Sequence, residues 1–372
     1  MKSSVALQIY TGGFGSPAER LNVPSVISKL SRVYQKAHIP CVMIGWNPDA
    51  KIREIVDFIK GHGTDVYLWL PVFSGWDGLS PLVGSQGSPV KHDYRAVKGE
   101  RFDFGCPASP ANIRLIKRVF QENYGDAPYD GVFLDKIRFP GFIGGIGSAL
   151  TCFCPHCRPL HALPGNFGLQ NDENPLALTA YDGLRYETSD ESVARLFDYK
   201  AKAVTASAAD LSGHFRALGY KVGLDLFAPF LSWFVGQDYG ALAPYADFIK
   251  PMFYRRTDAP AGMPFELNAY SSAFGGGRRP AGLRWIHLMK VLRAPAIDVE
   301  FINREIAAIR GKIGNTKLYA GIEINSIPKI APVTEEYIKE SITGIKDADG
   351  FALSWDLNST PPENLDAALR YL

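Results

Sequence analysis

The chain has 372 residues, a net charge of +2 and 21% charged residues, enough length for one large barrel or two ordinary domains. No basic run stands out, which argues against a nucleic-acid partner, and the longest apolar runs are too short to cross a bilayer as a helix. Aromatic residues make up 12%, with six Trp and 17 Tyr, a content that suits sugar stacking and a large core equally well.

Residues 5–10 read as a first strand, ended by Thr11-Gly-Gly13. A strand starting near Ser4 leaves no room for a signal peptide, so a cytoplasmic location is expected unless a leader has been removed. Apolar residues recur at helical spacing over 24–37, with Pro24 near the first turn. A second strand over 41–46 is followed by an amphipathic helix over 50–60, stopped by Gly61 and Gly63. The third strand, 66–73, leads into a polar, Gly-rich loop over 74–105 that holds Trp76, Asp77, His92, Asp93 and Tyr94. A helix over 109–123 precedes strand four, 132–137, where Asp135 stands alone among apolar residues and Arg138 and Pro140 follow. A buried carboxylate is usually paired or functional, and the plain structural alternative is an Asp135–Arg138 pair closing the strand.

Residues 141–190 form an insertion with little periodicity, and a long Ala-rich helix spans 191–218. Strand five is 221–227, a short helix covers 236–245, and strand six is 247–254. A second long loop, 255–284, carries Arg255, Arg256, Asp258 and Glu266, which could meet a polar or acidic substrate. Helices over 298–310, 334–345 and 363–371 alternate with strand seven, 317–325, and strand eight, 350–356. Eight strands with helices between them predict an α/β fold, a (β/α)8 TIM barrel over 1–372 with the long insertion at 141–190 after strand four. A doubly wound sheet is the rival, but Thr11-Gly-Gly-Phe-Gly15 is not its phosphate-binding turn.

Barrels of this kind gather function at the C-terminal strand ends. Those ends here carry Asp135, Asp225, Lys250, Tyr254, Glu323, Asn325, Trp355 and Asp356. Two carboxylates facing a cleft are what glycosidic bond cleavage requires, one to protonate the leaving oxygen and one to attack or to activate water. Trp46, Trp69, Trp76 and Trp355 fall at or just past strand ends and offer faces for sugar rings. For Asp225 and Lys250 a core ion pair is an equally good reading. No serine elbow, Walker loop or His-Glu-x-x-His helix is present.

Cys152-Phe-Cys154-Pro-His-Cys157 packs three thiols into six residues, and Cys106 lies just before a helix. That spacing is too tight for disulfides among the three but suits thiolates on one metal. Four sulfurs would make a closed, structural zinc site pinning the insertion to the loop after strand three, with His156 or His161 as substitutes for Cys106. Unlinked thiols or one labile disulfide are the alternative, and Cys41 reads as core.

The cysteine layout resembles that of the family 42 β-galactosidases, on Cys106-Pro-Ala-Ser-Pro110, strand four with Asp135, and Cys152, Cys154 and Cys157. That family has Asn-Glu at the end of strand four, where this chain has Leu134-Asp135, so its acid assignment does not transfer. A second resemblance is to uncharacterised glycosidase-like proteins with a Phe-Asp-Tyr-Ile-Arg-Phe-Pro strand four. It rests on Leu134-Asp-Lys-Ile-Arg-Phe-Pro140, Leu224-Asp-Leu-Phe-Ala228, Gly236-Gln237 and Phe248-Ile-Lys-Pro-Met-Phe-Tyr254, in that order. The Met-x-Tyr of strand six is also similar to chitinase-type barrels.

These resemblances imply a glycoside hydrolase with an oligosaccharide or glycoside substrate, structural zinc and no organic cofactor. Asp135 is expected as nucleophile or general base. Its partner is Asp225, from the motif match, or Glu323, from the galactosidase-like geometry. Arg138, Lys250, Tyr254, Trp46, Trp76, Gln237, Asn325, Trp355 and Asp356 are expected around the substrate, with Arg138 or Lys250 supplying positive charge to Asp135. A non-catalytic carbohydrate-binding barrel is the second reading. A barrel using a catalytic metal on His92 and Asp93 is the third. Oligomeric state is left open.

Overall fold

The computed structural model describes residues 4–11, 21–45, 51–90, 102–163, 176–273 and 285–372. Eight parallel strands close into a barrel: Val5–Ile9, Cys41–Ile44, Asp65–Pro71, Gly131–Asp135, Lys221–Phe227, Phe248–Met252, Lys317–Glu323 and Gly350–Ser354. Numbered one to eight in chain order, each barrel strand pairs with its neighbours, and strand one closes the circle on strand eight. The strands are apolar on both faces because helices cover the outside and side chains fill the inside. The (β/α)8 expectation from the alternating pattern is met.

Helix starts follow local chemistry. Asn22, Asp190, Asp298 and Thr334 each accept a backbone N–H of the first turn with their side chains, the usual N-cap arrangement. The closed bottom of the barrel is finished in a repeated way. Asp130, Asp247 and Asp349, just before strands four, six and eight, accept the N–H of Val66, Val222 and Leu318 at the start of the preceding strand. These aspartates serve stability, at the face opposite the strands' C-terminal ends.

Inside the barrel the lower filling is aromatic. The Phe248 ring meets Tyr67, Phe133 and Tyr319 at centroid distances of 5.2, 5.6 and 5.5 Å. Space for these rings comes from glycines on strands four and five: a Cβ on Gly131 would lie 2.4 Å from the Tyr67 ring, and one on Gly223 2.3 Å from Phe248. Above this floor the lining turns polar, with Gln8, Asp225, Lys250 and Ser354 buried at the level where the strands end.

Among its described residues, the insertion after strand four holds two single-turn helices, Ile146–Ala149 and Arg158–His161, and an antiparallel hairpin of Leu178–Tyr181 with Tyr186–Thr188. Two helices, Met263–Ala273 and Trp285–Val291, lie within or just after the stretch read as a loop over 255–284. The first has no apolar stripe because its buried face carries Glu266, Tyr270 and Ser271 beside Met263, so the hydrophobic period that marks a helix is missing. Among the described residues no helix is long and apolar enough to cross a membrane.

Candidate active site

The C-terminal mouth opens on a small cavity. Its wall is built from strand ends and the loops that follow them: Trp69, Asp135, Lys136, Arg138, Asp225, Met252, Tyr254 and Trp355, closed by Phe102 and by the segment carrying Thr257 and 259–261. Leu134 pairs with Leu224 across strands four and five. Asp135 and Asp225 therefore occupy the next position on neighbouring strands, which lie about 4.8 Å apart.

The two aspartates keep different company. Asp135 Oδ2 accepts the indole N–H of Trp69 at 3.0 Å and Oδ1 accepts the N–H of Lys136 at 2.6 Å. Neither Arg138 nor Lys250 is its hydrogen-bond partner. Lys250 instead pairs with Asp225, Nζ to Oδ2 at 3.0 Å, with both side chains buried, so the core ion pair envisaged for these two exists. The ammonium also donates to Gln8 Oε1 at 2.8 Å and to the Tyr254 hydroxyl oxygen at 2.7 Å, which satisfies all three of its protons. Burial pushes the Asp225 carboxyl up to about 7, against the opposing pull of Lys250, and the charge of Asp135 adds to the rise. Its Oδ1 has no partner among the described residues.

The remaining expected residues divide clearly. Arg138, Tyr254 and Trp355 line the cavity. Trp76 does not; it is buried and donates to the Pro71 carbonyl. Trp46, His92 and Asp93 lie outside the described residues. Gln237 accepts the Phe227 N–H at 2.8 Å and is a brace for the end of strand five. Asp356 accepts the N–H groups of Tyr10, Asn358 and Ser359, organising the turn after strand eight. Asn325 accepts the Trp355 N–H at 3.1 Å and so seats that ring's backbone. Glu323 is fully buried and absent from the cavity wall: Oε1 accepts the N–H groups of Arg256 and Thr257 and the Thr257 hydroxyl, and Oε2 accepts the Tyr337 hydroxyl. Burial raises its pKa while these donors oppose the rise.

Sequence reasoning missed Gln8, which collects Lys250 and the Ser354 hydroxyl on one oxygen. A lone amide at an inward position of an otherwise apolar strand was the available signal. It also missed that Trp69 would serve Asp135 through its N–H.

Behind the barrel wall, Cys106, Cys152, Cys154 and Cys157 bring their sulfurs within 4.8 Å of one another, all buried. Cys106 and Cys157 are 3.3 Å apart, Cys154 and Cys157 3.4 Å, and Cys154 and Cys106 3.7 Å. All four are free thiols, not disulfides, and the cluster could hold a metal. The N–H groups of Val83 and Cys154 point at Cys152 Sγ. His161 is not needed as a ligand: its Nε2 meets the Cys152 carbonyl and its Nδ1 accepts the Leu163 N–H. His156 is exposed.

Fold and site together define a closed (β/α)8 barrel with a polar cavity at its C-terminal mouth and a four-cysteine cluster beside it. No family model matches the chain, and no curated protein matches it in sequence. Among solved structures it is similar to the PgaB (BpsB) glycoside hydrolase domain from Bordetella bronchiseptica, with a TM-score of 0.58 and 14% identity over 99% of this chain and 98% of that one. It is also similar to a β-galactosidase from the psychrophilic Marinomonas ef1, with a TM-score of 0.54 and 12% identity over 100% of this chain and 58% of that one. At such identities the likeness establishes the shared barrel.

Proposed function

We propose that this chain is a glycoside hydrolase in which Asp135 acts as nucleophile or general base and Asp225 as proton donor. The observation that carries the reading is the contrast between two neighbouring carboxyl groups on one cavity. Asp135 receives N–H donors from Trp69 and Lys136. Asp225, pushed up to about 7 by burial, is protonated below that pH, and its buried Oδ1 has no partner among the described residues. A pair of carboxyl groups in unequal surroundings divides into acid and base in this way. Trp69 and Trp355 in the wall supply ring faces for a sugar. The glycoside hydrolase names of the two barrels sharing the fold support the same class.

The mechanism asked of these residues is short. Asp225 protonates the leaving glycosidic oxygen as its bond to the anomeric carbon breaks. Asp135 either attacks that carbon, forming an ester that water then hydrolyses with Asp225 taking the water's proton, or takes the proton of a water that attacks the carbon directly. Lys250 stays below, holding Asp225 in place through its hydrogen bond. The four-cysteine cluster is read as a structural zinc site, since soft thiolates select that metal and a tetrahedron with Zn–S bonds of about 2.3 Å has edges of roughly 3.8 Å. Zinc there would cross-link the insertion to the loop after strand three and supply no chemistry to the cavity.

The test is hydrolysis of a broad glycan and aryl-glycoside panel by the wild type, Asp135→Asn and Asp225→Asn, with folding checked by melting. Cleavage by the wild type and a folded but inactive Asp135→Asn are expected. Full activity in Asp135→Asn would overturn the assignment. Glycan binding without turnover by the wild type would make the chain a carbohydrate-binding barrel instead.

A further inference from the structure

Arg138 is a buried cation with an unusual setting. Its guanidinium carbon lies 4.6 Å from the Phe104 ring centroid and 4.2 Å from that of Phe227. Two aromatic rings thus pack against this cation. One corner is used: Nη1 donates to the Phe139 carbonyl at 3.1 Å. The Nε proton has no partner among the described residues, and no carboxylate among them forms an ion pair with this side chain. Glu266, Asp135 and Asp225 act on it only at longer range. A desolvated cation without a contacting counter-ion is costly, yet this one lines the open cavity rather than a closed core.

The chain after strand four explains how it arrives there. Ile137 and Phe139 enter the hydrophobic core, while the alternate residues Lys136 and Arg138 both line the cavity. Lys136 takes a left-handed backbone (φ 52°) and sets its ammonium 4.3 Å from the Phe102 centroid. Two cations therefore share one wall with the two aspartates.

Resting on the glycoside hydrolase reading, we infer that the cavity takes an anionic sugar, a residue bearing a carboxylate of the uronic acid type, whose carboxylate pairs with the Arg138 guanidinium in the cavity wall. A guanidinium meets a carboxylate through charge-assisted hydrogen bonds, and its poor hydration beside the two rings strengthens such a pair. Neutral sugars have no charged group to use it as well.

The experiment compares uronate oligosaccharides with their methyl esters, which keep the shape and remove the charge, and with sulfated and neutral oligosaccharides. Binding is read by calorimetry on wild type, Arg138→Lys and Arg138→Gln, with melting to check folding. The wild type is expected to prefer the free acid over the ester by about tenfold or more. Arg138→Gln should lose that preference, and Arg138→Lys should keep part of it. The ester comparison needs only the wild type, so a variant that fails to fold leaves the test standing. Equal binding of acid and ester overturns the inference, and tighter binding of the sulfated sugar overturns the carboxylate assignment. If neutral glycans are bound and cleaved while uronates are not, the anionic-sugar inference fails alone. If no glycan of any kind binds, the glycoside hydrolase reading falls with it.

Discussion

Lys250 and Asp225 form a buried ion pair directly beneath the cavity, Nζ to Oδ2 at 3.0 Å, on neighbouring strands in register with each other. Burial drives both groups toward their neutral forms, raising Asp225 and lowering Lys250, and each charge partly restrains the other's shift. The pair thus sets the proton affinity of the group read as the acid. With Asp225 pushed up to about 7, kcat/KM should fall as pH rises through that region, because the acid loses its proton. Lys250→Met removes the charge that holds Asp225 down, so the basic limb should move to higher pH. Breaking a buried pair also costs about 3–5 kcal/mol, and Tm should drop. A pH–rate profile of both proteins checks this; an unmoved basic limb would separate Lys250 from the acid.

Much of this site was legible in the sequence because its residues interrupt apolar strands. Asp135, Asp225 and Lys250 could be placed at strand ends from the alternation of strand and helix alone. What could not be read was direction. Glu323 sits at the end of strand seven like the others, but its acceptors are consumed by Arg256 and Thr257, from a loop distant in sequence, and by Tyr337, from the helix that follows. Trp76 was equally invisible as a core residue, because its hydrogen bond to Pro71 depends on how the loop after strand three folds back. The cysteine cluster was the most readable feature: Cys-x-Cys-x-x-Cys leaves few geometries open to its thiols.

Glu323→Gln separates a loop anchor from a catalytic group. The carboxylate gathers two backbone N–H groups and two hydroxyls, and it holds the start of the segment whose Thr257 and 259–261 line the cavity. Gln keeps one acceptor oxygen and presents N–H groups where an acceptor was needed, a loss of about 1–3 kcal/mol. The expected result is a lower Tm and a raised KM, with kcat reduced far less than in Asp135→Asn. A collapse of kcat with KM and Tm intact would instead give Glu323 a direct role in the chemistry.

The cysteine cluster should carry about one zinc per chain. Cys154→Ser removes one of the four sulfurs, and metal content measured on the purified protein should fall below stoichiometric. Because the cluster ties Cys106, ahead of the helix Pro110–Tyr124, to the insertion, limited proteolysis should then cut within 141–163 first. Chelation under conditions that leave the fold intact should not abolish turnover at once. Immediate loss of activity without loss of structure would point to a metal acting in catalysis.

Glu305 offers a pH test away from the cavity. It is buried on the helix Val299–Ile313, accepts the Tyr181 hydroxyl from the hairpin at 3.0 Å and accepts the Phe230 N–H at 2.7 Å. Burial outweighs these donors and pushes its carboxyl from 4.5 up to about 8. Between those values the folded chain holds a proton that the unfolded chain has lost. Its contribution to stability is therefore complete below about pH 4.5 and is lost progressively as pH rises toward 8. Glu305→Gln cannot titrate. The stability of the wild type relative to this variant should accordingly fall between about pH 5 and pH 8, by on the order of a few kcal/mol, and its Tm should fall with it. Melting curves of both proteins across that range decide it, and a constant difference would mean that Glu305 stays ionised in the folded chain, its charge carried by Tyr181 and the Phe230 amide.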